Sequence, residues 1–262
     1  MMQQLQGKRI LITRDISQAE GLKEKLVLLG AEILCVATIA ISDPPEWESF
    51  DQAAERAPDF DWVVFSSTNA VRRTSMRLSQ LNLDTERLNA LKKAAVGNQT
   101  AAAASEAGWK IDLIPDQYQA EGLLDALVKS GVSGKKIWMP RALQARSFLI
   151  DELEKVGAVI TDTPVYQNTI PYENRDRLQN ALLNERIDWI TFTSSSTVTN
   201  FIKILGDLRL QIQLPKLASV GRITSKTMKQ HGLVPSITAE RQNLDGLCQG
   251  IVEWETTAPK SD

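Results

Sequence analysis

Gly7-Lys8-Arg9-Ile10-Leu11-Ile12-Thr13-Arg14 returns, 127 residues later, as Gly134-Lys135-Lys136-Ile137-Trp138-Met139-Pro140-Arg141. Each copy is a short apolar run ending in polar residues, the pattern of a strand buried in a parallel sheet. At the same shift the spaced Leu22, Leu26 and Leu29 become Leu149, Leu153 and Val156, and Gly30-Ala31 becomes Gly157-Ala158. Asp61-Trp62-Val63-Val64-Phe65-Ser66-Ser67 matches Asp188-Trp189-Ile190-Thr191-Phe192-Thr193-Ser194; after a net deletion of three residues the shift becomes 124. Val96-Gly97-Asn98-Gln99-Thr100 then matches Val220-Gly221-Arg222-Ile223-Thr224, and Glu121-Gly122-Leu123 matches Asp245-Gly246-Leu247. A register held over so long a stretch reads as a tandem duplication, with a period too long for a solenoid.

Within a copy, strands alternate with helices. Ser17 can cap the helix after Arg9–Thr13, with Glu20 completing a capping box. The leucine spacing gives that helix one apolar face, and Gly30 stops it. Strands near 61–66, 93–96 and 111–114 and helices near 69–81, 98–107 and 121–130 continue the scheme. Such alternation predicts an α/β fold with parallel sheets flanked by helices. Residues 32–41 and 158–170 read as long extended stretches, each followed by proline. Ten residues reach ~33 Å, more than an average strand uses, so the two are expected to form a two-stranded antiparallel connector. Lobe one would then be 1–37 plus 168–262, and lobe two 38–167. The polar tail from Glu255 is expected to fray.

The chain has 262 residues, 43% hydrophobic and 24% charged, the balance of a soluble protein able to bury two cores. No apolar run is long enough to span a bilayer, and Met1 to Arg9 has no signal-peptide core. A cytoplasmic protein without a membrane partner is expected. A net charge of −2 argues against a nucleic-acid partner but allows a small anionic substrate. Cys35 and Cys248 lie in apolar stretches, and His231 is the single histidine. No zinc cluster can be assembled from these, and a serine or cysteine triad would have to use His231. Because His231 precedes Gly232, it reads as the end of a helix. Tyrosine, carboxylate, lysine or bound water remain as acid-base groups.

The strand ends carry the candidate chemistry, because ligands of open α/β sheets collect there beside helix N-termini. They read Thr13-Arg14, Ser66-Ser67-Thr68-Asn69, Gly97-Asn98-Gln99-Thr100, Pro140-Arg141, Thr193-Ser194-Ser195-Ser196 and Gly221-Arg222-Ile223-Thr224. Backbone N–H groups, small hydroxyls and arginine suit an anion. Any one hydroxyl can equally be a helix cap, and Gly97 and Gly221 can simply permit tight turns. Neither glycine motif matches a P-loop or a dinucleotide fingerprint. Arg14 and Arg141 occupy equivalent points and each needs an anionic partner, from a ligand or from the chain. Tyr166 replaces Ile39 of the first copy; it is either packing or a phenol facing the gap between lobes, able to donate a proton. Trp62, Trp189, Cys35 and Cys248 read as core.

Taken in order, Thr13-Arg14, Asp61 through Val71, Ala95-Val96-Gly97-x-x-Thr100-Ala101, Tyr118-x-Ala120-Glu121-Gly122-Leu123, Pro140-Arg141, Val165-Tyr166-x-x-x-x-Pro171, Phe192-Thr193-Ser194 and Ser219-Val220-Gly221-x-x-Thr224 resemble the uroporphyrinogen-III synthase family. The resemblance runs from Gly7 to about Trp254. It implies two lobes joined by a two-stranded ladder, with substrate in the cleft between them. It also implies a lyase of porphyrin and heme biosynthesis that needs no metal or organic cofactor. Hydroxymethylbilane, a linear tetrapyrrole rich in carboxylates, would close to uroporphyrinogen III with loss of water and inversion of the last ring through a spiro intermediate. Carried over by position, Ser66, Ser67, Asn69, Gly97, Thr100, Ser194, Ser195, Gly221 and Thr224 would hold carboxylates, Arg14 and Arg141 would add charge-assisted bonds, and Tyr166 would assist departure of the hydroxyl. Asp15 stands where the family often has proline, setting a negative charge beside Arg14, whereas Arg222 adds a positive one. A monomer is expected, receiving its substrate from the preceding pathway enzyme. The alternative is a non-catalytic two-lobed binding protein for an anionic metabolite, a degenerate synthase. A nucleotide-dependent transferase is opposed by the missing phosphate fingerprints.

Overall fold

The computed structural model describes residues 4–257, the side chains of Ile16, Ser17, Thr85 and Glu86 excepted. The chain opens with β1 (Arg9–Ile12), α1 (Ile16–Leu28), β2 (Glu32–Cys35) and β3 (Ala40–Ser42). Next come α2 (Glu48–Glu55), β4 (Trp62–Phe65), α3 (Thr68–Gln80), β5 (Lys92–Ala95), α4 (Asn98–Glu106) and α5 (Ala120–Lys129). They are followed by β6 (Lys136–Ala142), α6 (Phe148–Lys155), β7 (Val159–Thr169), α7 (Arg175–Asn184) and β8 (Trp189–Phe192). The last elements are α8 (Ser195–Leu205), β9 (Lys216–Ser219), α9 (Arg222–Gln230), β10 (Ile237–Thr238) and α10 (Leu244–Thr257).

Two compact units result. The first runs up to Ala40 and resumes at Thr169; the second is Ile41–Asn168. In the first, β10-β9-β8-β1-β2 form a sheet of parallel neighbours. In the second the order is β3-β7-β6-β4-β5, with β7, β6, β4 and β5 parallel. Strands that the sequence shift equates hold equal places: β9-β8-β1-β2 in one sheet, β5-β4-β6-β7 in the other.

Both sheets are covered on both faces, which explains the unbroken apolar runs. In β1, Ile10 and Ile12 pack into one cluster and Leu11 into another, all fully buried. In β4, Trp62 and Val64 face one side, Val63 and Phe65 the other. Pleating sends alternate side chains to opposite layers, so Ile10–Ile12 and Trp62–Phe65 are all buried, while Arg9 at the start of β1 is only half-buried. Each large apolar side chain so buried contributes roughly 1.5–3 kcal/mol. Trp62, Trp189 and Cys248 are core residues as expected, while Cys35 is half-buried. Burial pushes the Cys248 thiol up to about 11, which keeps it neutral.

Several local expectations need correction. The stretch 32–41 is not one extended strand: β2 pairs with β1, and β3 is the edge strand beside β7. Residues 111–114 make a single bridge, Ala94 to Leu113. There the Asp112 carboxylate takes the Lys93 N–H at 2.8 Å, and Pro115 has no N–H to extend the ladder. Helix α1 begins at Ile16, ahead of the cap expected at Ser17, whose side chain lies outside the described ones. Glu255, expected to fray, continues α10 to Thr257. Its carboxylate is anchored by Lys8 at 2.6 Å, Lys216 at 2.7 Å and Trp189 Nε1 at 2.8 Å. The expected fraying beyond Thr257 lies outside the described residues.

Candidate active site

Each unit presents its strand ends to helix N-termini, where the first N–H groups have no partner within the helix. In the second unit β4 leads through Ser66 to Ser67, whose Oγ caps α3 by accepting the Ala70 N–H at 3.1 Å. Asn69 is half-buried in the first turn of that helix. Gly97 caps α4 with φ −179°, an extended backbone open to any residue, so a tight turn is not the reason for glycine. The reason is room: a Cβ there would stand 3.0 Å from the Tyr118 ring. Gly221 repeats this at α9, where a Cβ would meet Gln242 at 2.9 Å. Thr100 and Thr224 are both 4% exposed. What α4 and α9 offer a ligand is therefore backbone N–H rather than these hydroxyls.

The arginines differ. Arg141, on β6, makes a two-pronged ion pair with Asp162 of β7, Nε to Oδ1 and Nη2 to Oδ2, both at 2.5 Å. Its Nη1 donates to the carbonyls of Ala145 at 2.8 Å and Arg146 at 3.4 Å. Four of the five guanidinium hydrogens thus go to the chain itself, leaving one on Nη2 for anything else. Arg14 is held by a neutral partner instead: Nε and Nη2 reach Gln18 Oε1 at 3.1 and 2.9 Å. Burial pulls its pKa below the ordinary value, against the opposing charge of Asp15.

A cavity of about 540 Å³ opens at the strand ends of the second unit. Ser66, Met139, Arg141 and Arg146 line it, together with Gln119 and Glu121 from the start of α5. Sequence reasoning missed Arg146, because its counterpart 127 residues earlier is Ala19 and the repeat gave no arginine to match. Tyr166 is packed into the core of this unit and 7% exposed, with its hydroxyl 3.2 Å from Ser67 Oγ. Ser66 thus borders the cavity while the next residue holds the phenol. Ser67, Asn69, Gly97, Thr100 and Tyr166 do not line it.

In the first unit Ser194 caps α8 in a capping box with Thr197, and Ser195 Oγ accepts from Thr227 Oγ1 at 2.7 Å. Thr13 is fully buried and donates to the Thr191 carbonyl at 2.8 Å, so it joins strands rather than offering a ligand group. A larger cavity here, about 960 Å³, lies along α9 and β10, and Arg14, Ser194, Ser195, Gly221 and Thr224 are not in its wall. Arg222, Lys226 and Lys229 of α9 are, facing Thr238 at the end of β10 and Ala239 and Glu240 just after it. His231 caps the end of α9, its carbonyl taking Arg209 Nη1 at 2.5 Å. Among the described residues no group of three or more His, Cys, Asp or Glu side chains could hold a metal ion. No helix among them is long and apolar enough to cross a membrane.

The family model described as uroporphyrinogen-III synthase HemD matches residues 20–249. The uroporphyrinogen-III synthase of Synechococcus elongatus is 31% identical over 258 residues, covering 96% of this chain and 97% of the relative. Among solved structures, a mutant uroporphyrinogen III synthase from Thermus thermophilus is similar in fold, with a TM-score of 0.61 at 21% identity over 94% of this chain and 98% of that one. The uroporphyrinogen-III synthetase of Helicobacter pylori gives 0.60 at 18% identity over 94% and 98%. With a family model spanning most of the sequence and a relative aligned over nearly its whole length, the chain belongs to the uroporphyrinogen-III synthase family.

Proposed function

We propose that this member of a family of cyclising lyases closes hydroxymethylbilane to uroporphyrinogen III, losing water and inverting the last pyrrole ring through a spiro intermediate. The supporting observation is the strand-end cavity of the second unit, where Arg141, Arg146 and the first turn of α5 border Ser66, one residue before the serine that holds the Tyr166 phenol. An anion-rich bilane needs donors at such a place. Loss of its hydroxyl needs an acid beside them.

In this reading the strand ends supply the groups that hold the bilane. Ser66, Ser67, Asn69, Gly97 and Thr100 serve from one unit, Ser194, Ser195, Gly221 and Thr224 from the other, mainly through backbone N–H. Arg14 adds a charge-assisted bond. Arg141 does so with its one remaining hydrogen while Asp162 fixes its plane. Tyr166 gives its proton to the departing hydroxyl. Holding the chain folded for attack at the substituted carbon supplies the rest, because free bilane in water closes at the unsubstituted one. The equal strand orders support a tandem duplication, and we read β3 beside β7 as the remnant of a paired connector. The same reading makes the enzyme a cytoplasmic monomer that takes its bilane from the enzyme that forms it.

The test is an isomer assay. Freshly generated bilane is added, the products are oxidised, and type I and type III uroporphyrins are separated. A type III excess over the protein-free control is expected. Type I alone from folded protein would overturn the reading in favour of a non-catalytic anion-binding relative.

A further inference from the structure

Ser67 and Ser194 hold matching places at the starts of α3 and α8, and both cap their helices. Their surroundings differ at two points. In α8 the third helical residue is Thr197, whose Oγ1 accepts the Ser194 N–H at 3.3 Å and closes the capping box. In α3 that residue is Ala70, which can close nothing, and the strand beside it carries Tyr166 where the first copy has Ile39. The hydroxyl of Ser67 lies 3.2 Å from the Tyr166 hydroxyl. Both sequence changes fall on the partners of one serine.

Proton counting sharpens the point. Ser67 Oγ already accepts the Ala70 N–H at 3.1 Å. Its own hydrogen is free to be donated, and a phenol oxygen can accept it. With Ser67 as donor, the Tyr166 hydrogen is left to point elsewhere.

We infer that Ser67 is a positioning residue for Tyr166: it donates to the phenol oxygen, so that the phenol proton is aimed at the hydroxyl leaving the bilane. This rests on the reading of Tyr166 as the acid. The phenol O–H bond breaks and its proton goes to the hydroxyl oxygen. The carbon–oxygen bond breaks with its electron pair on oxygen, and water departs. The pyrrole nitrogen lone pair stabilises the cation left on carbon. The phenolate keeps the Ser67 hydrogen bond at the positive end of α3. The proton released when the closing ring regains aromaticity restores the phenol, so the enzyme ends unchanged. The Ser67 hydroxyl then serves the acid, and only its backbone N–H is left to a substrate carboxylate.

Kinetics of type III formation by Ser67→Ala, Ser67→Thr and Ser67→Asp, each in wild-type and Tyr166→Phe backgrounds, test this. Ser67→Ala should lower kcat about tenfold with KM little changed, and Ser67→Thr, which keeps cap and hydroxyl, should restore most of it. Ser67→Asp keeps a cap but cannot donate; it should retain the melting temperature and lose rate like alanine. In the Tyr166→Phe background, itself slowed tenfold or more, Ser67→Ala should have no further effect on kcat. Were it to slow both backgrounds equally, or Tyr166→Phe to run at full rate, the inference would be overturned. A wild-type protein that makes no type III would fail the functional reading itself, a distinct result seen before any variant is made.

Discussion

A Cβ placed on Gly122 would stand 2.2 Å from the carbonyl oxygen of Gln117. The other unit repeats the relationship: on Gly246 it would stand 2.1 Å from the carbonyl oxygen of Arg241. In both, the chain folds tightly before the helix, with Gln119 N–H donating to Gln117 O and Asn243 N–H to Arg241 O, each at 2.8 Å. The glycine is what lets that fold lie against the first turn of α5 or α10.

Gly122→Ala and Gly246→Ala should therefore destabilise. Helix propensity alone favours alanine by about 1 kcal/mol. Overpacking against backbone, which cannot rotate away, costs roughly 1–3 kcal/mol or more. The clash should win, lowering the melting temperature by several degrees at roughly 2–4 °C per kcal/mol. Gly97→Ala is the control. Its Cβ would meet the Tyr118 side chain, Cγ at 3.0 Å and Cβ at 3.2 Å, on a residue 57% exposed that can give by a few tenths of an ångström, so a smaller loss than at Gly122, about 1 kcal/mol, is expected. Equal losses at Gly97 and Gly122 would mean that the backbone contact does not decide.

Why the folds were legible and these contacts were not follows from what repeats in one dimension. The runs at Ile10 and Trp62 are apolar throughout because both sheet faces are covered, and burial of that kind is written residue by residue. Gly97 shows the limit: the sequence marks a glycine, but the Tyr118 ring that demands it is 21 residues away. Likewise the arginine at 141 was visible while its partner, Asp162, required the pairing of β6 with β7. Arg146 has no arginine at the matching place in the first copy, so the repeat could not point to it.

The Glu255 carboxylate links stability to acid. Burial would raise its pKa, but hydrogen bonds from Lys216, Lys8 and Trp189 outweigh it and hold the group at about 2. An unfolded chain binds this proton near the ordinary value of 4.5, so the stabilisation is complete above that pH and is lost as pH falls toward 2. Urea midpoints should drop between pH 5 and pH 2.5 in the wild type. Glu255→Gln should be less stable at pH 7 and show a shallower drop across that window. A parallel drop in both proteins would assign the acid sensitivity to other carboxylates.

Arg141 and Asp162 should behave as a unit in folding. Their side chains are 13% and 34% exposed, so water screens the pair only in part. A two-pronged, partly buried pair should show a coupling of about 1–2 kcal/mol in a double-mutant cycle. Arg141→Ala, Asp162→Ala and the double variant, each followed by urea denaturation, measure it. Additive losses would show that the pair is merely adjacent.

Arg14 should show the opposite balance. Its fork is held by Gln18, a neutral acceptor, and burial already weighs on its charge. Removing it relieves that cost and, among the described residues, breaks no ion pair within 4 Å, so Arg14→Ala should shift the melting temperature by little. A substrate carboxylate that bonds to it would gain roughly 1.5–3 kcal/mol, which converts to at least about a tenfold weaker apparent affinity on removal. Arg14→Lys should recover only part, because the charge remains while the planar fork is lost. The contrast with Arg141→Ala is the informative measurement: stability should fall chiefly at 141 and KM should rise chiefly at 14. If KM stayed unchanged in Arg14→Ala while kcat fell, Arg14 would belong to the chemistry of ring closure instead of to substrate capture.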